Sequence, residues 1–222
     1  LSMINVSNLE VTYQQEVVAL DHISLNIKEK CTVIVGMNGS GKSTLAHALA
    51  KVIGYYEIDV EDYYFPEQKE SRKAALDNNY GVKCNYLGEL PYSVPRSKAE
   101  VQESIYKDVC EHLQFVISGV TMNWNEQIIS HINIVFILDA PTEKRVQRVE
   151  NRELKRFGTR VAKGGDMYNQ QADFRDIIAS RDLSSVLESA KKINCEIVSL
   201  DGTESVEENV IKILNVLANR ND

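Results

Sequence analysis

The stretch Cys31 to Thr44, CTVIVGMNGSGKST, constrains this chain more than any other. Cys31 to Val35 is an apolar, β-branched run, the pattern of a strand buried on both faces. Gly36 to Thr44 then reads G-x-x-x-x-G-K-[ST] in full. Leu45 to Ala50 is rich in helix formers, and Gly54 stands where a C-cap belongs. Strand, glycine loop and helix in that order make a phosphate cradle. Backbone N–H groups curl around the anion while a helix N-terminus points at it. The spacing therefore predicts that Gly36, Asn38, Gly39, Ser40, Gly41, Lys42, Ser43 and Thr44 bind ATP. Lys42 is expected on the β- and γ-phosphates, and the Ser43 hydroxyl on Mg²⁺.

Bulk properties exclude several function classes. With 222 residues the chain is read as a single domain, 1–222. Its net charge is −7 and no Lys/Arg block forms a nucleic-acid footprint, so no nucleic-acid partner is expected. The longest apolar stretch, Ile132 to Leu138, is far short of the roughly 20 residues that span a bilayer, so no membrane partner is expected. No charged segment followed by an apolar one opens the chain, as a secretory signal would. Cys31, Cys84, Cys110 and Cys195 are scattered without C-x-x-C spacing. They read as reduced thiols in a cytoplasmic protein.

Residues 3–30 alternate in short segments, Ile4 to Val6, Leu9 to Tyr13 and Ile23 to Ile27. They predict an antiparallel β-ribbon beside the nucleotide site. A second core strand ends near Asp59, followed by Glu61 and Asp62. Doubly wound sheets place ligands at that carboxyl end. A phosphoryl acceptor needs a carboxylate in line with the γ-phosphate, so Asp59 and Asp62 are the candidates and Glu61 the spare. Residues 67–98 are polar and punctuated, an insertion on the acceptor side. Arg96 and Lys98 in it are either anion-binding or solvated. Ser97 and Glu100 form a capping box that opens a helix to about His112.

Phe115 to Val120 is a third buried strand, and it ends in Ser-Gly rather than an acid. Ile134 to Leu138 is the fourth. Arg145, Arg148, Arg152 and Arg156 then recur on one helix face, with Arg160 just beyond. Cations stacked so closely repel unless an anion sits there or Glu143, Glu150 and Glu153 neutralise them. A lid over 141–168 that carries Arg148, Arg152 and Arg160 onto a transferring phosphoryl group supplies such an anion. A helix over 170–179 is expected to bury Phe174, Ile177 and Ile178. Further helices over 184–192 and 206–218 flank a fifth strand, Cys195 to Leu200. The elements predict an α/β fold: a five-stranded, mostly parallel sheet flanked by helices, with the β-ribbon and a helical lid added.

Several stretches resemble known families. DVEDYYFP resembles the acidic segment after the phosphate loop in small-molecule kinases of the uridine, pantothenate and shikimate type. In them one acid helps hold Mg²⁺, which would be Asp59 beside Ser43, and another orients the acceptor, which would be Asp62. A strand ending in small residues, like Ser118-Gly119, is similar to shikimate-kinase-like enzymes. DAPTEKRVQR resembles the D-A-P-x-E-x-R-x-x-R passage into a kinase lid. RFGTRVAKGGDMY resembles a stretch of bacterial P-loop proteins described as AAA-family or kinase-like ATPases. Residues 4–45 resemble the opening of ABC-type ATPases, where an aromatic at the place of Tyr13 stacks on adenine. Against that, the chain has no L-S-G-G-Q signature, and Ala140 stands where an ABC catalytic glutamate belongs. The resemblances imply a P-loop phosphotransferase that moves the γ-phosphoryl group of ATP to a nucleoside, nucleotide or polyol. The alternative is an ATPase or nucleotide switch with a protein partner, including an ABC-type subunit.

Overall fold

The computed structural model describes residues 4–13, 17–27, 31–77 and 90–220, the first two segments as backbone alone. In chain order, β1 (Ile4–Tyr13) and β2 (Val17–Ile27) form an antiparallel ribbon, with Ile4 opposite Ile27 and Tyr13 opposite Val17. β3 (Cys31–Val35) leads into α1 (Lys42–Ile53), and β4 (Tyr56–Asp59) into the short α2 (Val60–Tyr64). A 3-10 turn and α3 (Lys69–Leu76) follow. α4 (Lys98–Glu111), β5 (Phe115–Gly119), α5 (Glu126–Ile129) and β6 (Ile134–Asp139) come next. α6 (Thr142–Phe157), a second 3-10 turn over Gly158–Val161 and α7 (Tyr168–Ser180) form one layer. α8 (Ser184–Lys191), β7 (Glu196–Asp201) and α9 (Val206–Asn219) complete the described chain.

The five later strands form one sheet in the order β4-β5-β3-β6-β7, every pairing parallel. Each crossover therefore returns through a helix, and all five carboxyl ends lie along one edge. The glycine-loop strand β3 is central. Its neighbours β5 and β6 hold it in register at Cys31 to Phe115 and Thr32 to Ile134. Asp59 at the end of β4 pairs with Ser118 of β5, and at the opposite side Asp139 of β6 pairs with Asp201 of β7.

Alternation along each strand splits the core between the two faces of the sheet. Ile34 and Phe136 face α1 and α9, where Leu45, Leu49, Ile213 and Leu214 are buried. Val33, Val35, Ile117 and Val135 face the other way, toward Ile105 of α4 and Val186 of α8. Helix boundaries follow the local chemistry. Gly54 ends α1 in the left-handed region at φ 72, and Ser97 and Glu100 exchange the two bonds of a capping box. One expectation fails on α7. Ile178 is buried, but Ile177 is 42% exposed and Phe174 is half-buried. That helix rests against α6, so its covered stripe is narrower than an apolar count implies.

Cys31 is buried, Cys195 half-buried and Cys110 exposed, all three as free thiols, while Cys84 lies outside the described residues. Among the described residues no helix is long and apolar enough to cross a membrane. Phe136, at 0% exposure, links the central sheet to the α1–α9 layer. Phe136→Ala should cost about 3–5 kcal/mol of stability. Denaturant titration with an unchanged slope and a lowered midpoint checks it, and an unchanged midpoint would contradict this core assignment.

Candidate functional site

The loop between β3 and α1 is held open by glycine geometry. Gly39 and Gly41 have φ of 84 and 102. A Cβ on Gly39 would stand 2.3 Å from the carbonyl oxygen of Arg145, so α6 packs directly on the loop. Gly41 is the N-cap of α1 and supplies no side-chain cap. The first-turn N–H groups of a twelve-residue helix are thereby left to an external acceptor.

A cavity of about 450 Å³ lies over this helix start. Its walls come from the loop and α1 (Gly39 to Leu45), from α3, from α6, and from the turn after β7 running into α9. Among the described residues six cations line it, Lys42, Arg72, Arg148, Arg152, Lys155 and Arg156, against one carboxylate, Glu204. Glu204 is itself held by Lys212 at 2.5 Å. Lys42 is only 8% exposed and donates to Asn38 Oδ1 at 3.5 Å. Burial lowers the Lys42 pKa, against the upward pull of Glu61 and Asp59. Ser43 is half-buried and Thr44 exposed, both on the cavity wall.

Asp59, Glu61 and Asp62 are gathered by one residue, Arg72 of α3. Its guanidinium donates to Asp59 Oδ2 at 2.6 Å and Asp62 Oδ1 at 2.6 Å, and pairs with Glu61 Oε2 at 2.9 Å. Asp59 also caps α2, its Oδ1 accepting from the Glu61 N–H at 3.1 Å. The three carboxyls are not equivalent. Burial pushes Glu61 up, but Arg72, Arg152, Lys42 and Arg156 together outweigh it and hold it at about 2. Burial dominates at Asp62, which rises to about 6 despite Arg72, with Asp59 adding repulsion.

The arginine face of α6 divides by depth. Arg145 is 3% exposed and serves the fold, donating to Ala140 O, Ile178 O, Thr142 Oγ1 and Arg181 O. Arg148 donates to the Ser40 carbonyl at 2.9 Å, which ties α6 to the loop. Arg152 donates to Glu153 Oε1 at 2.7 Å, so Glu153 supplies part of the neutralisation that the stacked cations require. Arg156 reaches Ser71 Oγ at 2.8 Å and the Tyr92 hydroxyl, and stacks over the Tyr92 and Phe157 rings. Tyr92 holds this place with φ 63, a left-handed backbone that costs a non-glycine residue on the order of 1 kcal/mol. Arg160 is not brought to the cavity. It lies in the 3-10 turn beyond α6, 40% exposed, and pairs with Asp166 at 2.8 Å. The turn redirects the chain after Gly158, so the spacing that aligns four arginines does not extend to a fifth. Tyr13 ends β1, and its side chain lies outside the described residues, as do residues 78–89 of the 67–98 insertion.

Sequence reasoning missed Arg72, Lys155, Tyr92 and Asn209 as wall or support residues. Arg72 sits in the polar run KESRKAAL, where no local pattern separates a buried arginine from a solvated one.

An oxygen donor set suits Mg²⁺, which retains several waters and binds through few protein groups. The Ser43 hydroxyl is on the wall, whereas both Asp59 oxygens are already engaged. Among the described residues no cluster of three or more His, Cys, Asp or Glu forms a cage. These residues fit an ion held chiefly by phosphate and water, with Ser43 direct and Asp59 through water.

No protein-family model matches the chain. It is similar to the uncharacterized protein YqaC of Bacillus subtilis (strain 168), 23% identical over 193 residues, covering 83% of this chain and 96% of that one. It is 24% identical to a probable gluconokinase of Dictyostelium discoideum, covering 83% of this chain and 84% of that one. It is 28% identical to a shikimate kinase of Prochlorococcus marinus (strain NATL2A), covering 55% of this chain and 57% of that one. Among solved structures, a gluconokinase from Sinorhizobium meliloti 1021 superposes with a TM-score of 0.48 at 15% identity, covering 86% of this chain and 93% of that one. The relatives support an ATP-dependent, kinase-like enzyme.

Removing the arginine that joins the three acids tests the site's electrostatics. Arg72→Met should destabilise the fold by about 3–5 kcal/mol at pH 7, because buried carboxylates lose their counter-charge. Glu61 in the native chain contributes stability above its ordinary value of 4.5 and loses it as pH falls toward 2. Asp62 works oppositely, its ionisation costing stability as pH rises from 3.8 through about 6. In the variant the abandoned acids take up protons, so the stability gap to the native chain should narrow between pH 7 and pH 4. Thermal unfolding across that range checks it, and a gap independent of pH would contradict it.

Proposed function

We propose that this chain transfers the γ-phosphoryl group of ATP to a hydroxyl of a small acceptor of the polyol or sugar-acid type. The observation that carries the reading is the charge balance of the cavity, six cations to one acid over an uncapped helix start, with Arg72 joining it to three carboxylates. The kinase relatives, named for gluconate and shikimate, support an acceptor of this kind.

In this mechanism the Gly36 to Thr44 loop and the α1 start bind the triphosphate, and Lys42 neutralises charge on the β- and γ-phosphates. Mg²⁺, held by Ser43 and through water by Asp59, would supply further neutralisation of the phosphate oxygens. Arg148 and Arg152, on the cavity wall, close over the transferring group. Asp62 accepts the acceptor hydroxyl proton as the new O–P bond forms, the bond from the γ-phosphorus to the bridging oxygen breaks, and ADP leaves. Arg72 must release Asp62 for this step, and an incoming anion in the cavity competes for the same guanidinium. Arg160 is left outside this mechanism as a surface residue.

The test is ADP release from ATP with and without sugar acids, polyols, nucleosides and nucleoside monophosphates, with Lys42→Ala as blank. One acceptor class should raise turnover well above basal hydrolysis. Asp62→Asn should abolish that stimulation, by about 10²–10⁴-fold, while ATP still binds. Because the free carboxyl sits at about 6, kcat/KM should rise with pH through that value and level off above it. Slow Lys42-dependent hydrolysis that no acceptor stimulates would contradict the kinase reading.

A further inference from the structure

Residues 90–97 run as a strap from the acid side of the cavity to the α6 side. The Arg96 N–H donates to Tyr64 O of α2 at 2.9 Å, and Gln170 Nε2 of α7 donates to Pro91 O at 3.0 Å. A turn closed by the Ser93 N–H on Leu90 O, at 3.1 Å, presents Tyr92 between these anchors. The Tyr92 ring meets Phe65 edge-on at 5.1 Å and Phe157 edge-on at 6.5 Å. Phe65 follows α2 and Phe157 ends α6, so one ring joins the two sides.

Among the described residues Tyr92 is the one non-glycine with a positive φ. A tyrosine keeps a left-handed backbone only where its surroundings offset the strain. Here Arg156 does so. Its Nη1 donates to the Tyr92 hydroxyl, and its guanidinium lies 5.5 Å from the Tyr92 ring centroid and 4.8 Å from that of Phe157. Burial pushes the Tyr92 pKa up, so the hydroxyl stays neutral beside the cation. On the other side Arg156 Nη2 donates to Ser71 Oγ at 2.8 Å, next to Arg72 in α3. The Arg156 side chain is 4% exposed. It therefore fills the gap where the cavity wall passes from the arginine row of α6 to Arg72 and its acids.

We propose that Tyr92 is a positioning residue that, through Arg156, seals the acid end of the cavity against water. This rests on the nucleotide reading above. A γ-phosphoryl group that waits for an acceptor is open to hydrolysis unless the site excludes water. Water admitted beside Asp62 attacks the γ-phosphorus in the acceptor's place. Its O–P bond forms, the bridging O–P bond breaks, Asp62 takes the proton, and ADP and inorganic phosphate leave. Arg156, wedged between Tyr92, Phe157 and Ser71, closes that path.

The test is acceptor-free hydrolysis at saturating ATP by the native chain, Tyr92→Phe and Ser71→Ala, with Lys42→Ala as blank and each variant checked for native melting. Tyr92→Phe keeps the ring and loses only the hydroxyl. Ser71→Ala removes the other anchor of Arg156. Each should raise the hydrolysis rate by on the order of tenfold, the loss of one bond to a charged group read as a ratio. A role confined to stability predicts no gain. An unchanged or lower rate in folded Tyr92→Phe overturns the proposal and leaves the nucleotide reading intact. Should Tyr92→Phe not fold, Ser71→Ala decides in the same way. If the native chain neither binds ATP nor hydrolyses it, the nucleotide reading falls and the proposal with it.

Discussion

Accumulated positive charge around one helix start governs this molecule. Lys42, Arg72, Arg148, Arg152, Lys155 and Arg156 share the wall of one cavity, and the side chains of Lys42, Arg72 and Arg156 are almost fully buried. Like charges gathered on one wall repel, by up to about 4 kcal/mol for a pair about 4 Å apart at the effective dielectric of a protein surface and less as they separate. The structure offsets part of this internally. Glu153 neutralises Arg152, and Asp59, Glu61 and Asp62 neutralise Arg72. What remains is a site whose charge is best balanced by a polyanion. The strong acidity of Glu61 is a consequence of this field, whereas the lowered proton affinity of Lys42 comes first from its burial.

The sheet order turns that field into a directed site. With β3 central and β4 and β7 at the edges, the loop lies between two chemically different flanks. On the β4 flank Arg72 presents three carboxylates, one of them raised toward neutral pH. On the β7 flank the described wall is Gly202, Glu204, Val206 and Asn209, with Glu204 paired to Lys212. Parallel strands are the reason both flanks lie on one edge.

Much of this was legible in the sequence, because the signals were local. The β3 strand, the glycine loop and α1 follow from spacing alone, and the Ser97–Glu100 capping box follows from two residues three apart. The three inner strands, β5, β3 and β6, show as apolar runs because they are buried on both faces. The arginine row on α6 was visible as periodicity, but its division of labour was not. Arg145 is consumed by four local partners, and Arg160 leaves the row where Gly158 turns the chain. Asp59 and Asp62 were legible as acids at a strand end. Their common partner Arg72 lies 10 to 13 residues away in a helix of ordinary polarity. Asn209 was still less accessible, since it reads as one polar position in an amphipathic helix until the Asp201 and Ser205 carbonyls fix its amide.

The central claim is that the cavity is built around a polyphosphate. Calorimetric titration with ATP, ADP and AMP at several salt concentrations addresses it most directly. The account predicts affinity falling in that order. It also predicts a salt dependence steepest for ATP, because the cations act as counter-charge to successive phosphates. AMP binding as tightly as ATP, with no difference in salt dependence, would contradict it.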